Sequence, residues 1–103
     1  MFLDNVPSVT SGELPAKLVD GWMLLDVRTD GEWAEGRIEG SKHIPMDQIV
    51  ARLDEVSDQV VCVCAVGGRS ARVTQYLLSH GKDALNLDGG VQAWAGEGRP
   101  LVA

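Results

Sequence analysis

The chain has 103 residues, 45% hydrophobic and 23% charged, a balance ordinary for one folded domain over residues 1–103 with a single core. Fifteen acidic side chains against nine basic ones give a formal net charge of -6, which argues against nucleic-acid and acidic-membrane partners. No apolar run approaches the ~20 residues of a membrane span, and the first residues lack the features of a signal peptide, so we expect a cytoplasmic protein.

Strand and helix patterns alternate along the whole chain. Pro7 cannot donate to a sheet ladder, which predicts that the first strand lies at an edge. Thr10 and Glu13 match a capping box and predict a helix start, whereas 23–27 and 60–63 are the continuous apolar runs of strands covered on both faces. The predicted elements are strand 6–9, helix 10–18, strand 23–27, helix 31–35, strand 42–44, helix 46–53, strand 60–63, helix 70–80, strand 84–87 and helix 91–95.

This alternation predicts an α/β fold with a mostly parallel sheet and helices on both faces. In such sheets, ligands bind beyond the carboxyl ends of the strands. Cys64 follows one predicted strand end, and residues 26–28 lie at another. These two positions therefore indicate where a functional site should lie.

The loop 64–70, Cys-Ala-Val-Gly-Gly-Arg-Ser, connects a predicted buried strand to a helix. A helix N-terminus offers unpaired N–H groups and partial positive charge, and Gly67 and Gly68 let the loop turn its amides inward. Such a loop stabilises an anion, here the Cys64 thiolate or a sulfur species bonded to it. Because a free thiol with a pKa near ~8.5 is only a few per cent ionised at neutral pH, this setting predicts an activated nucleophile at Cys64.

Cys62 lies on the same face of the strand as Cys64, and a disulfide between them would be strained. With His43 and His80 as the only imidazoles, the ligand count predicts no metal site, and we predict no cofactor. We interpret Cys62 as a small buried hydrophobic residue rather than as a resolving thiol.

Three segments of the sequence form a pattern that is spread over nearly the full chain. They are Asp-Val-Arg-Thr at 26–29 with Glu32-Trp33, Gly36-Arg37-Ile38, Gly40 and Ile44-Pro45; the loop 64–70; and Leu-Asp-Gly-Gly-Val-Gln-Ala-Trp at 87–94. In their order and spacing, these segments resemble those of a single-domain rhodanese, a sulfurtransferase. The resemblance implies a five-stranded parallel sheet flanked by helices and a Cys64 that accepts a sulfane sulfur as a persulfide.

The resemblance also implies substrates and supporting residues. The donor would be a small sulfur-containing anion such as thiosulfate, or a persulfide, and the acceptor would be cyanide or a thiol, including a protein thiol. It implies that Asp26, Arg28 and Glu32 support the site, with Arg28 paired to Glu32. Substrate binding is expected on Ala65, Val66, Gly67, Gly68, Arg69 and Ser70.

The chain departs from the family pattern at two places. Arg37 stands where members often have a histidine, away from the nucleophile. Many thiosulfate-using members have a basic residue directly after the cysteine, whereas this chain has Ala65 and Val66. We therefore expect weak thiosulfate binding or a different natural donor.

Two residue roles stay open. Arg69 either contacts the substrate or braces the loop by binding a carboxylate such as Asp26 or loop carbonyls, since a guanidinium serves both roles. Ser70 is interpreted as the cap of the helix, with a hydrogen bond to the persulfide as the alternative.

Three rival functions share this pattern. A phosphatase or arsenate reductase is disfavoured because cysteine-loop phosphatases place five residues between cysteine and arginine, whereas four separate Cys64 from Arg69. A non-enzymatic persulfide carrier has the same chemistry and differs in its partners. A non-catalytic binding or regulatory module is the third alternative.

Overall fold

The computed structural model describes residues 6–103. Its strands are β1 (Ser8–Val9), β2 (Met23–Asp26), β3 (Lys42–His43), β4 (Gln59–Val63) and β5 (Asp83–Leu87). Its α-helices are α1 (Leu14–Val19), α2 (Asp30–Glu35), α3 (Gly68–Ser79) and α4 (Gly90–Gly96). Two short 3₁₀ turns, Met46–Gln48 and Leu53–Glu55, connect β3 to β4.

The five strands form a sheet in the order β1-β5-β4-β2-β3, and every pairing in it is parallel. This confirms the predicted α/β class, and β1 lies at the edge where Pro7 predicted it. The register pairs Asp26 with Val63 and Cys62 with Asn86, so the carboxyl ends of β2, β4 and β5 lie side by side. Cys64 comes directly after the central strand.

The core lies on both faces of the sheet. Alternation along β4 sends Val60, Cys62 and Cys64 into the cluster that contains α3 residues, and Val61 and Val63 into the cluster that contains residues of α1 and α4. The predicted common face of the two cysteines is therefore confirmed. It places both thiols on the side of the sheet covered by α3.

The predicted helix over 46–53 is wrong. The backbone at Arg52 leaves the helical region with φ -117° and ψ 26°, so the segment divides into the two 3₁₀ turns. Ile49 is buried as predicted, but Val50 is 70% exposed. Only part of the apolar spacing therefore packs against the core, and the periodicity overstated the helix.

Candidate active site

Cys64 lies at the junction of β4 and the loop that opens α3. Gly67 precedes the first residue of that helix with φ 112°, a left-handed conformation that strains any residue with a Cβ. A turn this tight brings the loop back over the cysteine, which is only 1% exposed. The Cys64 side chain therefore lies beneath the loop that opens α3.

Hydrogen-bond donors surround the Cys64 sulfur. The Gly67 N–H donates to Sγ at 3.1 Å, and the Ser70 hydroxyl lies 3.3 Å from it. Burial raises the pKa of the thiol, but hydrogen bonds from the Ser70 hydroxyl and from the amides of Ser70, Gly67 and Val66 outweigh burial and lower it overall. The predicted inward turn of the loop is thus present at the sulfur.

Cys62 differs sharply from its neighbour. It is fully buried, and burial raises the pKa of its thiol to about 12 even though Thr74 offers it a hydrogen bond. A thiol in this state is almost entirely protonated at neutral pH and has the properties of a small apolar group. The interpretation of Cys62 as a core residue agrees with this environment.

Arg69 forms an ion pair with Glu32 across the mouth of the loop. Its Nη1 and Nη2 donate to the two carboxylate oxygens at 2.7 and 2.9 Å, and the guanidinium also interacts with the Cys64 sulfur. The Arg69 hydrogen bonds lower the pKa of Glu32 to about 2, so the carboxylate is charged throughout the neutral range. Arg69 thus braces the loop, but through Glu32 rather than through the suggested Asp26.

Arg28 pairs with Asp26, so the implied pairing of Arg28 with Glu32 is wrong. Arg28 Nη2 donates to Asp26 Oδ2 at 2.8 Å and to the Gly36 carbonyl at 2.7 Å, and the pair is buried. Glu32 instead completes a capping box, in which its carboxylate accepts the Thr29 N–H at 3.1 Å. The two ion pairs support the carboxyl end of β2 and the mouth of the loop separately.

Ser70 does not cap α3, because the capping position is Gly67 and Ser70 lies inside the first turn. Its buried hydroxyl instead contacts Cys64 Sγ, the Gly67 carbonyl oxygen and Asn86 Oδ1, the last at 2.5 Å. Asn86, in β5, was not predicted as part of the site. The one available signal was an amide residue within an otherwise apolar strand.

The Gly89-Gly90 turn lets α4 bind the active loop. The N–H groups of Val91 and Gln92 donate to the carbonyls of Cys64 and Ala65 at 2.9 and 3.0 Å. Gly90 has φ 60°, and a Cβ there would overlap the Cys64 carbonyl oxygen. The third segment of the sequence pattern therefore holds Cys64 in place.

Among the residues that the structure describes, open hollows of about 500, 370 and 240 Å³ border the loop. Arg69 lines the 500 Å³ hollow, which contains Arg28 and also Asp30 and Asp47. The other two bear carboxylates as well. They are Asp88 in the second, and Glu32 and Glu35 in the third.

Within residues 6–103, His, Cys, Asp and Glu side chains form no cluster of three or more that would suit a metal ion. In that same range, each helix is too short or too polar to traverse a bilayer.

Residues 10–97 match the family described as "Rhodanese-like domain". A "Sulfurtransferase" of Allochromatium vinosum is 38% identical, with the alignment covering 95% of this chain and 96% of that protein. A "Putative sulfurtransferase YtwF" of Bacillus subtilis is 39% identical over 75% of this chain and 77% of its own length. The crystal structure of a rhodanese-like domain protein from Staphylococcus aureus superposes with a TM-score of 0.81 at 42% identity, covering 94% of this chain and 99% of that one.

Proposed function

The chain belongs to the rhodanese-like domain family, and we propose that it is a sulfurtransferase whose nucleophile is Cys64. The observation that carries the proposal is the set of donors on the Cys64 sulfur, from the Ser70 hydroxyl and from the amides of Val66, Gly67 and Ser70. A group of N–H and O–H dipoles held close to one atom stabilises negative charge there. Sulfurtransferase names among the relatives support the same chemistry.

The reaction consists of two sulfur transfers through a covalent intermediate. The Cys64 thiolate attacks the outer sulfur of the donor, a bond forms between the two sulfurs, and the bond to the leaving group breaks. The leaving group departs with the electron pair, as sulfite from thiosulfate or as a thiolate from a persulfide. An acceptor thiolate or cyanide then attacks the outer sulfur of the Cys64 persulfide, forms a new persulfide or thiocyanate, and regenerates the Cys64 thiolate.

For the donor, we propose a persulfide of a thiol rather than thiosulfate. The Arg69 charge is compensated by Glu32, and Ala65 and Val66 place no basic group beside the nucleophile. Each of these hollows also contains at least one carboxylate, and Arg28, which lines two of them, is compensated by Asp26. These charges disfavour a small dianion, whereas a persulfide carried on a larger molecule brings contacts of its own.

Intact-mass measurement tests the proposal. The protein is incubated with thiosulfate or with glutathione persulfide. We expect a gain of one sulfur atom per protein molecule, in a larger fraction of the molecules with the persulfide than with thiosulfate. Cys64→Ser is the negative control, and Cys62→Ala should gain the sulfur normally. No gain with either donor would refute the transfer and favour a binding or regulatory module.

Two rivals are separated by further assays. Turnover of sulfur to a small thiol or cyanide distinguishes an enzyme from a carrier, which would be loaded but would discharge only to its protein partner. Cys64-dependent hydrolysis of para-nitrophenyl phosphate without thiocyanate formation would favour a phosphatase. The four residues between Cys64 and Arg69 argue against that outcome, because they make a tighter loop than the phosphatase pattern.

A further inference from the structure

The Ser70 hydroxyl has one proton and three acceptors within reach. Cys64 Sγ and the Gly67 carbonyl oxygen each lie 3.3 Å from its Oγ, whereas Asn86 Oδ1 lies only 2.5 Å away. Ser70 is fully buried and Asn86 is nearly so. A hydroxyl donates one hydrogen bond at a time, so Asn86 and the Cys64 sulfur compete for the same proton.

The orientation of the Asn86 amide is fixed by the loop. Its Nδ2 donates to the Gly67 carbonyl at 3.2 Å, and the opposite orientation would place two oxygens against each other at that contact. Oδ1 must therefore face Ser70 as an acceptor. The same bond connects β5 to the residue that precedes α3, which keeps the competition in place as long as the loop is folded.

The protonation state of Cys64 decides which acceptor receives the hydrogen bond from the Ser70 hydroxyl. When Cys64 is a thiol, one directed chain satisfies every group: S–H to Ser70 Oγ, Ser70 O–H to Asn86 Oδ1, and Asn86 N–H to the Gly67 carbonyl. When the sulfur is ionised, the Ser70 hydroxyl must turn toward it, and Asn86 Oδ1 loses its donor. A buried acceptor without a donor is destabilising.

We propose that Asn86 is a positioning residue that holds the Ser70 proton away from the Cys64 sulfur and so opposes the free thiolate while leaving the persulfide unopposed. In the persulfide, the negative charge is on the outer sulfur, and the inner sulfur no longer requires the hydroxyl. The Ser70 hydroxyl then donates its hydrogen bond to Asn86 Oδ1 again. This inference rests on the proposed function, because the effect of Asn86 is to favour the sulfur-loaded state of Cys64 over the free thiolate.

Other ionisable groups also act on Cys64, and the test must hold them constant. These groups are Arg69 of α3, which is bound to Glu32 of α2, and the Cys62 thiol of β4. The ion pair of Asp26 and Arg28 lies at the end of β2, and Asp88 lies after β5 beside Gly67. A double-mutant cycle cancels their contributions because they are the same in all four proteins.

The experiment measures the pKa of Cys64 from the pH dependence of its alkylation, without any sulfur donor, in the unmodified protein, Ser70→Ala, Asn86→Ala and the double variant. We expect Ser70→Ala to raise this pKa by about one unit, the scale of one hydrogen bond to a charged group. Asn86→Ala should lower it by roughly half a unit when Ser70 is present and leave it unchanged in the Ser70→Ala background. An increase, or an equal change in both backgrounds, would overturn the proposal.

A second measurement has its main readout in the unmodified protein, and that readout does not depend on how the variants fold. The ¹³C resonance of the Asn86 carboxamide should titrate with the Cys64 pKa, and this titration should be absent in Ser70→Ala, where the Gly67 amide still reports the ionisation. A carboxamide that does not respond while the Gly67 amide titrates would refute the competition. Neither readout involves sulfur transfer, so a failed transfer assay and a failed competition remain distinguishable.

Discussion

Cys62 and Cys64 are two residues apart, yet their thiols should react with a neutral aromatic disulfide at very different rates. Burial raises the pKa of Cys62 to about 12, whereas the donors around Cys64 bring the pKa of that thiol below its ordinary value of 9.0. The thiolate is the reacting form, so the environments of the two sulfurs determine the rates. The test removes each thiol in turn, in the variants Cys62→Ala and Cys64→Ser.

The expected ratio follows from these values. At pH 7, a thiol of pKa about 12 is ionised to about one part in 100,000, and one of pKa below 9.0 to more than about 1%, a ratio of at least ~1,000. A more basic thiolate is intrinsically more nucleophilic, and a Brønsted coefficient of ~0.4–0.5 reduces that advantage by roughly 20-fold. Ionisation and nucleophilicity together therefore predict that Cys64 reacts at least about 30-fold faster than Cys62. Burial does not change this ratio, because the two cysteines are 0% and 1% exposed.

Stopped-flow absorbance measures this ratio. The unmodified protein and Cys62→Ala should show a fast phase of one thiol equivalent, which Cys64→Ser lacks although its circular dichroism is unchanged. The rate of the fast phase should rise with pH and level off above the Cys64 pKa. Similar rates for both thiols would refute the electrostatic reasoning, and an equal loss of sulfur transfer in both folded variants would mean that the thiols act as a pair.

Three other substitutions test separate contacts. Glu32→Gln keeps a hydrogen-bond acceptor beside Arg69 but removes the negative charge that compensates the guanidinium. In steady-state kinetics the KM for thiosulfate should fall roughly fivefold, because a dianion and one positive charge about 7 Å apart in water attract each other by ~1 kcal/mol. An unchanged KM would contradict this reasoning. Gly90→Ala forces a Cβ onto the Cys64 carbonyl oxygen, and urea unfolding should show a loss of about 2–4 kcal/mol, refuted by an unchanged midpoint. Asp26→Ala leaves Arg28 buried without its partner, which should cost about 3–5 kcal/mol of unfolding free energy in the same assay, with a loss below ~1 kcal/mol as the contrary result.

The sequence was sufficient to predict the strand, the loop and the helix around Cys64. The β-branched apolar run before the cysteine predicts a buried strand, and Gly67 marks the backbone position that requires a positive φ. These are local signals, fixed by residues adjacent in the chain. The number of strands followed from the family resemblance. Their order came only from the structure, because alternation predicts parallel strands but not which strand lies beside which.

The partners of the two arginines were not predictable in the same way. Arg28 and Arg69 each have a carboxylate at the same edge of the sheet, and charge alone does not decide which pairs with which. The structure decides by distance: Asp26 is two residues from Arg28 and buried with it, whereas Glu32 faces Arg69 from α2. Asn86 was not predicted as part of the site for a related reason, because only the register of β4 against β5 brings it there.

The stabilisation of the Cys64 thiolate relies more on dipoles than on net charge. The positive charge of Arg69 acts on the Cys64 sulfur, but it is compensated by Glu32. The remaining stabilisation comes from N–H and O–H groups at hydrogen-bond distance, whose effect fades within a few ångströms. A site of this kind favours charge on sulfur at one point without attracting small anions from solution. This combination suits a protein that receives sulfur from a bound persulfide, because contact rather than long-range attraction then selects the donor.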